Sequence, residues 1–302
     1  MITILGPTAS GKTRLAARVA ARISGEILSA DSRQVYRGMD LGTGKDRGDY
    51  VVEGKTVPYH LIDIVDPGYE YNVYEYQRDF AAAYYDIVSR GMIPVLCGGT
   101  GMYLEAVLKG YELHHVPENQ QLRSELEQMP HEDLVNQLSS YKPLHNVSDV
   151  SDRDRLVRAI EIQSFYRLHP QLSQPAVDPD PLIFGILFDR LVLRQRITDR
   201  LHDRLHKGMG QEVRQLLAAG LRPEQLTFYG LEYKFLTRYV LGELTYEQMA
   251  KLLTIAIHQF AKRQMTWFRR MERNGLRIHW IDGTIPEEEK VEIVLRKMNK
   301  VV

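Results

Sequence analysis

The sequence Gly6-Pro7-Thr8-Ala9-Ser10-Gly11-Lys12-Thr13 follows a short apolar run, Ile2 to Leu5, and opens a stretch with the apolar periodicity of a helix. Glycines let successive backbone N–H groups turn towards an anion, and the helix N-terminus adds partial positive charge. Lys12 supplies a mobile cation, and the hydroxyl of Thr13 is suited to bind Mg²⁺. The stretch predicts a phosphate-binding loop for a di- or triphosphate rather than a plain glycine-rich turn, and it leaves the reaction open.

The rest of the chain alternates short apolar runs with longer amphipathic segments, an order typical of a parallel sheet covered by helices on both faces. Two helices begin with a capping pattern, Asn72 with Glu75 and Thr245 with Gln248. We predict an α/β fold, a P-loop NTPase-like parallel sheet flanked by helices, with an inserted helical subdomain. The expected strands are Ile2 to Leu5, Glu26 to Ala30, His60 to Val65, Ile93 to Cys97, Leu182 to Phe188 and Arg277 to Ile281.

Residues 114–180 interrupt this order. They contain six prolines and show helical periodicity, and their six basic and eleven acidic residues give a net charge of −5. The sequence therefore predicts a catalytic core formed by residues 1–113 and 181–302, with a helical insertion at 114–180. A long, helix-rich crossover within a single domain is the alternative interpretation.

The composition excludes several classes of protein. Of the 302 residues, 44% are hydrophobic and 26% charged, as expected of a folded globular protein. The 39 basic and 39 acidic residues balance, so any attraction to nucleic acid must come from a local basic surface. The single cysteine, Cys97, cannot form an internal disulfide and is expected to be buried. Because we find no leader and no apolar run of membrane-spanning length, we predict a cytoplasmic protein that does not contact a membrane.

Two polar residues follow predicted strands at the edge where open parallel sheets bind ligands. Asp31 comes directly after the second strand, where its carboxylate could hold Mg²⁺, bind a hydroxyl or accept a proton, with helix capping as the alternative. Thr100 follows Gly98 and Gly99 after a later strand. It could lie close to a substrate, unless the glycines only permit a tight turn.

One predicted helix carries arginines at every fourth position, beside an apolar ridge. At least one of them is expected to border a cleft and clamp a pyrophosphate through paired N–H groups. For most of them the sequence favours solvated arginines tied to Asp199 or Asp203. The three arginines are Arg196, Arg200 and Arg204.

A second helix is basic over most of its length. The segment from Lys251 to Arg273 has six basic residues and one acidic residue. Lys262, Arg269 and Arg273 fall within about 40° of each other on a helix. This pattern is typical of a surface that follows a phosphate backbone, with a merely solvated basic face as the alternative.

Five ordered motifs together resemble the tRNA dimethylallyltransferases, over nearly the whole chain. The resemblance implies transfer of a dimethylallyl group from dimethylallyl diphosphate to N6 of the adenosine immediately 3′ of the anticodon, in tRNAs that read codons beginning with U. It also implies Mg²⁺ as cofactor and a helical insertion that contacts the tRNA anticodon stem-loop, and we expect a monomer. The motifs are Gly6 to Thr13, Asp31 to Lys45, His60 to Ile64, Gly98 to Tyr103 and Ala261 to Arg269.

The resemblance also implies roles for individual residues. Asp31 corresponds to the family's proposed general base, Thr100 to the hydroxyl beside the target amine, and Thr13 to the Mg²⁺ ligand. The diphosphate would be bound by Gly6, Thr8, Ala9, Ser10, Gly11, Lys12, Thr13 and Arg200. The tRNA would be contacted by Asp31, Ser32, Arg33, Gln34, Thr100, Arg123, Asp154, Arg155, Arg158, Lys262, Arg263, Gln264, Trp267 and Arg269.

Two departures from the family pattern, at Ile257-His258 and at Gly230-Leu231, lie on the side expected to bind RNA. They leave the details of tRNA binding open. Two other classes of function stay open as well. A nucleotide-dependent small-molecule kinase would use the same loop, Mg²⁺ and Asp31, and a nucleotide-switched RNA-binding protein would need only the loop and the basic helix.

Overall fold

A computed structural model describes residues 1–141, 152–171, 177 and 180–300 of the chain. The chain divides into two compact units, one formed by Met1–Tyr111 with Val177–Val302 and the other by Glu112–Ala176. Residues 142–151, 172–176, 178 and 179, which belong to the predicted insertion, lie outside the described residues.

The first unit is built on a six-stranded sheet in which all neighbouring strands are parallel. Counting a separate two-stranded hairpin, the strands of this unit in its described residues are β1 (Ile2–Leu5), β2 (Gly25–Ala30), β3 (Val51–Val52), β4 (Lys55–Thr56), β5 (Tyr59–His60), β6 (Ile93–Gly98), β7 (Leu182–Leu187) and β8 (Ile278–Asp282). Their order across the sheet is β5-β2-β6-β1-β7-β8, and β3 pairs with β4 in a separate antiparallel hairpin. The predicted α/β class with a parallel sheet is confirmed.

Helices of the first unit cover both faces of this sheet. In the described residues of the two units the helices are α1 (Lys12–Arg22), α2 (Val73–Ser89), α3 (Gly101–Leu108), α4 (Gln120–Glu127), α5 (His131–Tyr141), α6 (Arg153–Leu168), α7 (Arg190–His206), α8 (Met209–Ala218), α9 (Pro223–Phe228), α10 (Leu231–Val240), α11 (Tyr246–Arg273) and α12 (Glu287–Met298), of which α4 to α6 belong to the second unit. On one face Ile4 and Val95 share a core with α1 and α12, and on the other Leu5, Leu28 and Leu96 share a core with α2, α3 and α11. Because both faces are covered, the strands read as continuous apolar runs.

The second unit contains α4, α5 and α6. These helices enclose a small core of their own, formed by Leu126, Leu134, Leu138, Leu156, Val157 and Ile160. From Gln120 onwards the described residues of this unit are mainly helical, whereas residues 112–119 have no regular secondary structure. The bounds and the role of the predicted insertion stay predictions.

Both predicted capping patterns form. The Asn72 side chain accepts hydrogen bonds from the first turn of α2 while Glu75 bonds back to the Asn72 backbone, and Thr245 and Gln248 do the same at α11. Each box satisfies N–H groups that a helix N-terminus otherwise leaves unpaired. None of the helices in the described residues combines the length and the apolar composition that crossing a bilayer requires.

The expected strand from His60 to Val65 is wrong beyond its first residue, because β5 ends at His60. Leu61 and Asp63 have φ values of 65° and 57°, which a strand does not accommodate. Asp63 turns to pair with the buried Lys45 at 2.5 Å, and Val65 forms only an isolated bridge with Tyr36. A tertiary ion pair therefore overrides the local apolar pattern.

Candidate active site

Three neighbouring strands end at the same level of the sheet, and each is followed by a loop with polar residues. In the strand register, Leu5 of β1 and Ala30 of β2 both pair with Gly98 of β6. The residues that follow these strands are Gly6, Asp31 and Gly99. The register of the sheet therefore brings the phosphate loop, Asp31 and the segment leading to Thr100 to one edge.

The phosphate loop turns sharply before α1. Ala9 and Gly11 have φ values of 61° and 83°, and no side chain caps the N-terminus of α1 at Gly11. The first N–H groups of the helix are thus left for a ligand with negative charge.

Lys12 reaches back over the loop, where its Nζ lies 3.4 Å from the carbonyl oxygen of Pro7. Burial lowers the pKa of Lys12, although the neighbouring Cys97 and Asp31 act in the opposite direction. Because burial strips solvent from its charge, this ammonium group gains from an incoming anion.

Gln264 of α11 joins the phosphate loop to the loop after β6. Its Oε1 accepts the N–H of Thr8 at 2.9 Å, and its Nε2 donates to the carbonyl of Gly99 at 2.9 Å. The side chain is buried, so both ends of its amide are used by the protein. The predicted contact between Gln264 and tRNA stays a prediction, and this structure gives the residue a bridging role that the sequence did not indicate.

Asp31 and Thr100 are held by hydrogen bonds to the same short segment. The Asp31 carboxylate accepts the N–H of Arg33 at 2.9 Å, and Thr100 Oγ1 accepts the N–H of Ser32 at 3.0 Å. A series of turns rather than a helix follows Asp31, so the alternative that Asp31 caps a helix is wrong. Thr100 precedes α3 without capping it, which leaves its hydroxyl beside Ser32 Oγ at 3.4 Å.

The three arginines of α7 all face the phosphate loop. Arg196 Nε donates to the carbonyl of Ala9 at 3.0 Å, and Arg200 lies 3.3 Å from Thr8 Oγ1. Arg200 and Arg204 both pair with Asp46, at 2.7 and 3.1 Å. The expectation that most of them pair with neighbouring aspartates is wrong. The carboxylates in question are taken by other partners, Asp199 by Gln195 and Asp203 by Lys207.

A pocket of about 980 Å³ opens between the phosphate loop and α7. Lys12, Thr13 and the three arginines of α7 line it, and few apolar side chains do. This lining suits phosphate groups better than an apolar ligand. Asp31 and Thr100 are not part of its lining.

The predicted tRNA-contacting residues of the first unit differ in exposure. Lys262, Arg263 and Arg269 of α11 are exposed, whereas Ser32, Arg33 and Gln34 are partly buried beside Asp31. Trp267 is packed so closely over Gly101 that a Cβ there would overlap its indole, and the Arg270 guanidinium lies 4.0 Å from the ring centroid. Trp267 is thus an anchor of α11 against α3.

In the second unit, two of the predicted tRNA-contacting arginines bind a buried carboxylate. Arg123 and Arg158 both pair with Glu161, whose side chain is 2% exposed. Asp154 and Arg155 are exposed on α6. The four proposed RNA contacts of this unit stay predictions.

The two departures from the family pattern have clear local environments. Ile257 is buried in the core, and the His258 ring bonds to Arg194 and Thr198 of α7. Gly230 precedes α10 with a φ of 124°, a backbone conformation that favours glycine over residues with a side chain. Leu231 packs against the core.

Sequence reasoning missed Asp46, although it is the anionic partner of two pocket arginines. It lies in an irregular segment that carries no periodicity, and the only local signal is the glycine-rich stretch Gly42-Thr43-Gly44 before it. Gly44 has a φ of 74°, and a Cβ there would overlap the Arg204 guanidinium.

A parallel sheet whose first strand ends in a glycine-rich loop, with cations gathered around that loop, defines an α/β protein of the P-loop type. A family model described as IPP transferase matches residues 34–271. A tRNA dimethylallyltransferase 2 of Bacteroides fragilis is 57% identical over 300 residues, which cover 99% of this chain and 98% of that protein.

Solved structures show the same likeness. The full-length tRNA isopentenylpyrophosphate transferase from Bacillus halodurans matches with a TM-score of 0.71 at 32% identity, covering 99% of this chain and 95% of that one. A eukaryotic dimethylallyltransferase acting on tRNA shares the fold, with a TM-score of 0.80 at 23% identity over 99% of this chain and 79% of that one.

The chain belongs to the IPP transferase family. The predicted family is confirmed, and with it the prediction that the protein is a prenyltransferase enzyme rather than a kinase or a non-catalytic RNA-binding protein. The expectations of a monomer and of a cytoplasmic location stay predictions.

Proposed function

We propose that this protein transfers the dimethylallyl group of dimethylallyl diphosphate to N6 of the adenosine immediately 3′ of the anticodon, in tRNAs that read codons beginning with U. Diphosphate is released. The names of the relatives give tRNA as the substrate of those proteins. The observation that carries the proposal is the shared edge of β1, β2 and β6, where a phosphate loop lies beside a carboxylate and a hydroxyl.

The phosphate loop would receive the leaving diphosphate. As the allylic C–O bond lengthens, negative charge builds on the diphosphate oxygens, and cations fixed around those oxygens stabilise the transition state. Lys12 and Arg200 lie at the loop, together with the first N–H groups of α1. These groups are in place before substrate binds, so little reorganisation is needed at the moment of reaction.

A divalent cation would assist at the same place. Thr13, which carries a hydroxyl, lines the pocket at the start of α1, and the described residues contain no cluster of three or more His, Cys, Asp or Glu side chains arranged for a metal. This donor set fits Mg²⁺, because Mg²⁺ keeps several waters and takes few protein ligands when a substrate phosphate supplies oxygens. When bound, Mg²⁺ would neutralise charge on the leaving diphosphate.

Asp31 would act on the nucleophile. The exocyclic amine of adenine is a weak nucleophile because its lone pair is delocalised into the ring, so removal of its proton late in the attack favours the reaction. Asp31 is partly exposed at the shared edge, and Thr100 lies beside it through Ser32. The target base would be flipped from the anticodon loop to reach this carboxylate, and the single-stranded loop lowers the free energy of that step.

The substitution Asp31→Asn tests this role, because the asparagine oxygen can still accept the Arg33 N–H. We expect turnover to fall by about 10²- to 10⁴-fold, the range for loss of a general base, while tRNA affinity changes little. Turnover would be followed with labelled dimethylallyl diphosphate, unmodified tRNA and Mg²⁺. Asp66→Asn, at an exposed aspartate paired with Arg37, is the matched control.

The outcomes separate the possible functions. Prenyl label in the tRNA supports the proposal, whereas phosphate transferred from γ-labelled ATP would support a kinase, and bound RNA without either label would support a binding protein. Normal single-turnover chemistry in Asp31→Asn, with tRNA binding lost, would show that Asp31 serves RNA recognition instead of catalysis.

A further inference from the structure

Four cationic side chains face the phosphate loop, and in the described ranges two of them form ion pairs with the same carboxylate. These side chains are Lys12, Arg196, Arg200 and Arg204. Asp46 pairs with Arg200 at 2.7 Å and with Arg204 at 3.1 Å. Other acidic residues that line the pocket have other partners; Asp49, for example, pairs with Arg14, whose side chain is 62% exposed.

The backbone that carries Asp46 is fixed in place. Its neighbour Lys45 has a side chain only 1% exposed, which donates to the Tyr36 carbonyl and pairs with Asp40 and Asp63. Three further bonds, from the N–H groups of Asp40, Leu41 and Gly42, run to the carboxylate of Glu212 at 2.8 to 2.9 Å. Asp46 therefore does not reach the arginines by chance, because a buried lysine and an anchored turn hold it against them.

Arg204 needs such a partner. Its side chain is 9% exposed, and burial lowers its pKa, with the nearby Arg200 acting in the same direction. Burial acts to raise the pKa of Asp46, but Arg200 and Arg204 outweigh it and hold that pKa below its ordinary value. Asp46 is thus ionised and neutralises part of the charge that an entering anion would meet.

We propose that Asp46 is an internal counterion of the diphosphate pocket: it occupies Arg200 and Arg204 in the empty pocket and must yield them to the diphosphate. Asp46 weakens product binding as well as substrate binding, and so speeds the release of diphosphate. This inference rests on the proposed function, since it takes a diphosphate as the ligand of the pocket.

The test is the affinity of the full-length protein for inorganic pyrophosphate, measured by calorimetry with and without Mg²⁺. Asp46→Asn keeps the shape of the side chain and removes its charge. In an open, solvated pocket the dielectric is close to that of water, and there one charge at close range supports an effect on the order of tenfold, so we expect pyrophosphate to bind about tenfold more tightly. In steady state, both KM for dimethylallyl diphosphate and kcat should fall, because the product leaves more slowly.

Asp49→Asn is the matched control, since it removes the same charge from the same pocket but from a carboxylate that pairs with the exposed Arg14. We expect it to change pyrophosphate affinity far less than Asp46→Asn does. Asp46→Glu, which keeps the charge, should resemble the wild type. Thermal unfolding of each variant sets a temperature at which all are folded, and Asp46→Ser gives a second neutral variant should Asp46→Asn prove unstable.

Each outcome decides the inference. Weaker or unchanged pyrophosphate binding in folded Asp46→Asn would overturn it, because a residue that only positions the arginines or only supports the fold would give those results. If Asp46→Asn bound pyrophosphate more weakly only when Mg²⁺ is present, Asp46 would be a metal ligand, and the inference would also be overturned. If the wild type failed to bind pyrophosphate, the phosphate-loop assignment itself would fall, which is distinct from a failure of the role of Asp46.

Discussion

Replacing Gln264 with leucine removes the amide that joins the phosphate loop to Gly99. Both hydrogen bonds of this amide are 2.9 Å long, and the Gly99 segment is buried. A buried polar group left unpaired costs about 1–3 kcal/mol. Loss of both bonds, offset in part by the burial of leucine, should lower the free energy of unfolding by about 2–4 kcal/mol.

Turnover should fall together with stability. Without Gln264 the Gly99 backbone is no longer held, and Thr100, the next residue, would shift with it. A shift of about 1 Å in a reacting group can reduce turnover by up to roughly 100-fold, and we expect Gln264→Leu to lose about 10- to 100-fold in prenyl transfer at temperatures where it is folded. Urea unfolding and labelled transfer to tRNA measure the two effects. Gln259→Leu, at an exposed position of the same helix, is the control and should change the free energy of unfolding by less than about 0.5 kcal/mol. Equal stability and turnover in both variants would refute the bridging role.

Three further predictions concern other parts of the first unit. Hydrogen bonds from Arg90 and, to a lesser degree, His60 hold the pKa of Glu26 at about 2, below its ordinary 4.5, although burial acts in the opposite direction. The stability that the ionised Glu26 contributes through these partners is complete above pH 4.5 and is lost as the pH falls towards 2. Glu26→Gln should therefore lower the free energy of unfolding by about 2 kcal/mol at neutral pH. The difference from the wild type should shrink as the unfolding measurements are repeated at lower pH. Burial raises the pKa of Cys97 to about 12, so its thiol should resist iodoacetamide at about pH 8 until the protein is unfolded, as mass spectrometry would show. Gly44→Ala should destabilise the protein by about 1–3 kcal/mol and weaken pyrophosphate binding, because Gly44 has a positive φ and an added Cβ would overlap Arg204. Gly48→Ala, where an added Cβ meets open space, should change neither stability nor pyrophosphate binding.

The sheet could be predicted from the sequence because its strands are buried on both faces and its loops carry strong local signals. The run Ile2–Leu5 is buried throughout, so a short run with three apolar residues in four suffices to mark this strand. The phosphate loop contributes its own glycines, and the capping boxes at Asn72 and Thr245 define where two helices begin. In each case the decisive interactions lie within a few residues of each other.

The sequence failed where a distant charge decides the local conformation. The apolar residues from Leu61 to Val65 read as a strand, but Lys45 draws Asp63 out of any extended conformation. For the arginines of α7, helical spacing favoured partners one turn away, whereas Asp46 lies more than 150 positions earlier in the chain. Pairings of this kind depend on the folded arrangement and leave no periodic signal in the sequence.

The sequence did place Asp31 and Thr100 at strand ends, but it could not show how they would be fixed there. Spacing puts each residue after its strand, and the register of β2 with β6 then makes them neighbours. The bond from the Arg33 N–H to Asp31 is a local Asx-turn, but the bond from the Ser32 N–H to Thr100 joins residues 68 positions apart and depends on the folded arrangement. Position along a strand is therefore readable from sequence, whereas the orientation of the side chain is not.

Helix α11 gives a physical reason why one chain would combine a phosphate loop with a basic surface. Its inward face carries Gln264, which accepts the N–H of Thr8 in the phosphate loop, while Lys262 and Arg263, two and one residues earlier, are exposed. A polyanion bound to the outer face and a diphosphate bound to the loop would thus both act on the same rigid helix. A kinase for small molecules has no need of the outer face, and an RNA-binding protein has no need of the bridge to Gly99. Both faces of α11 fit the proposed reaction, which would use an RNA and a diphosphate together.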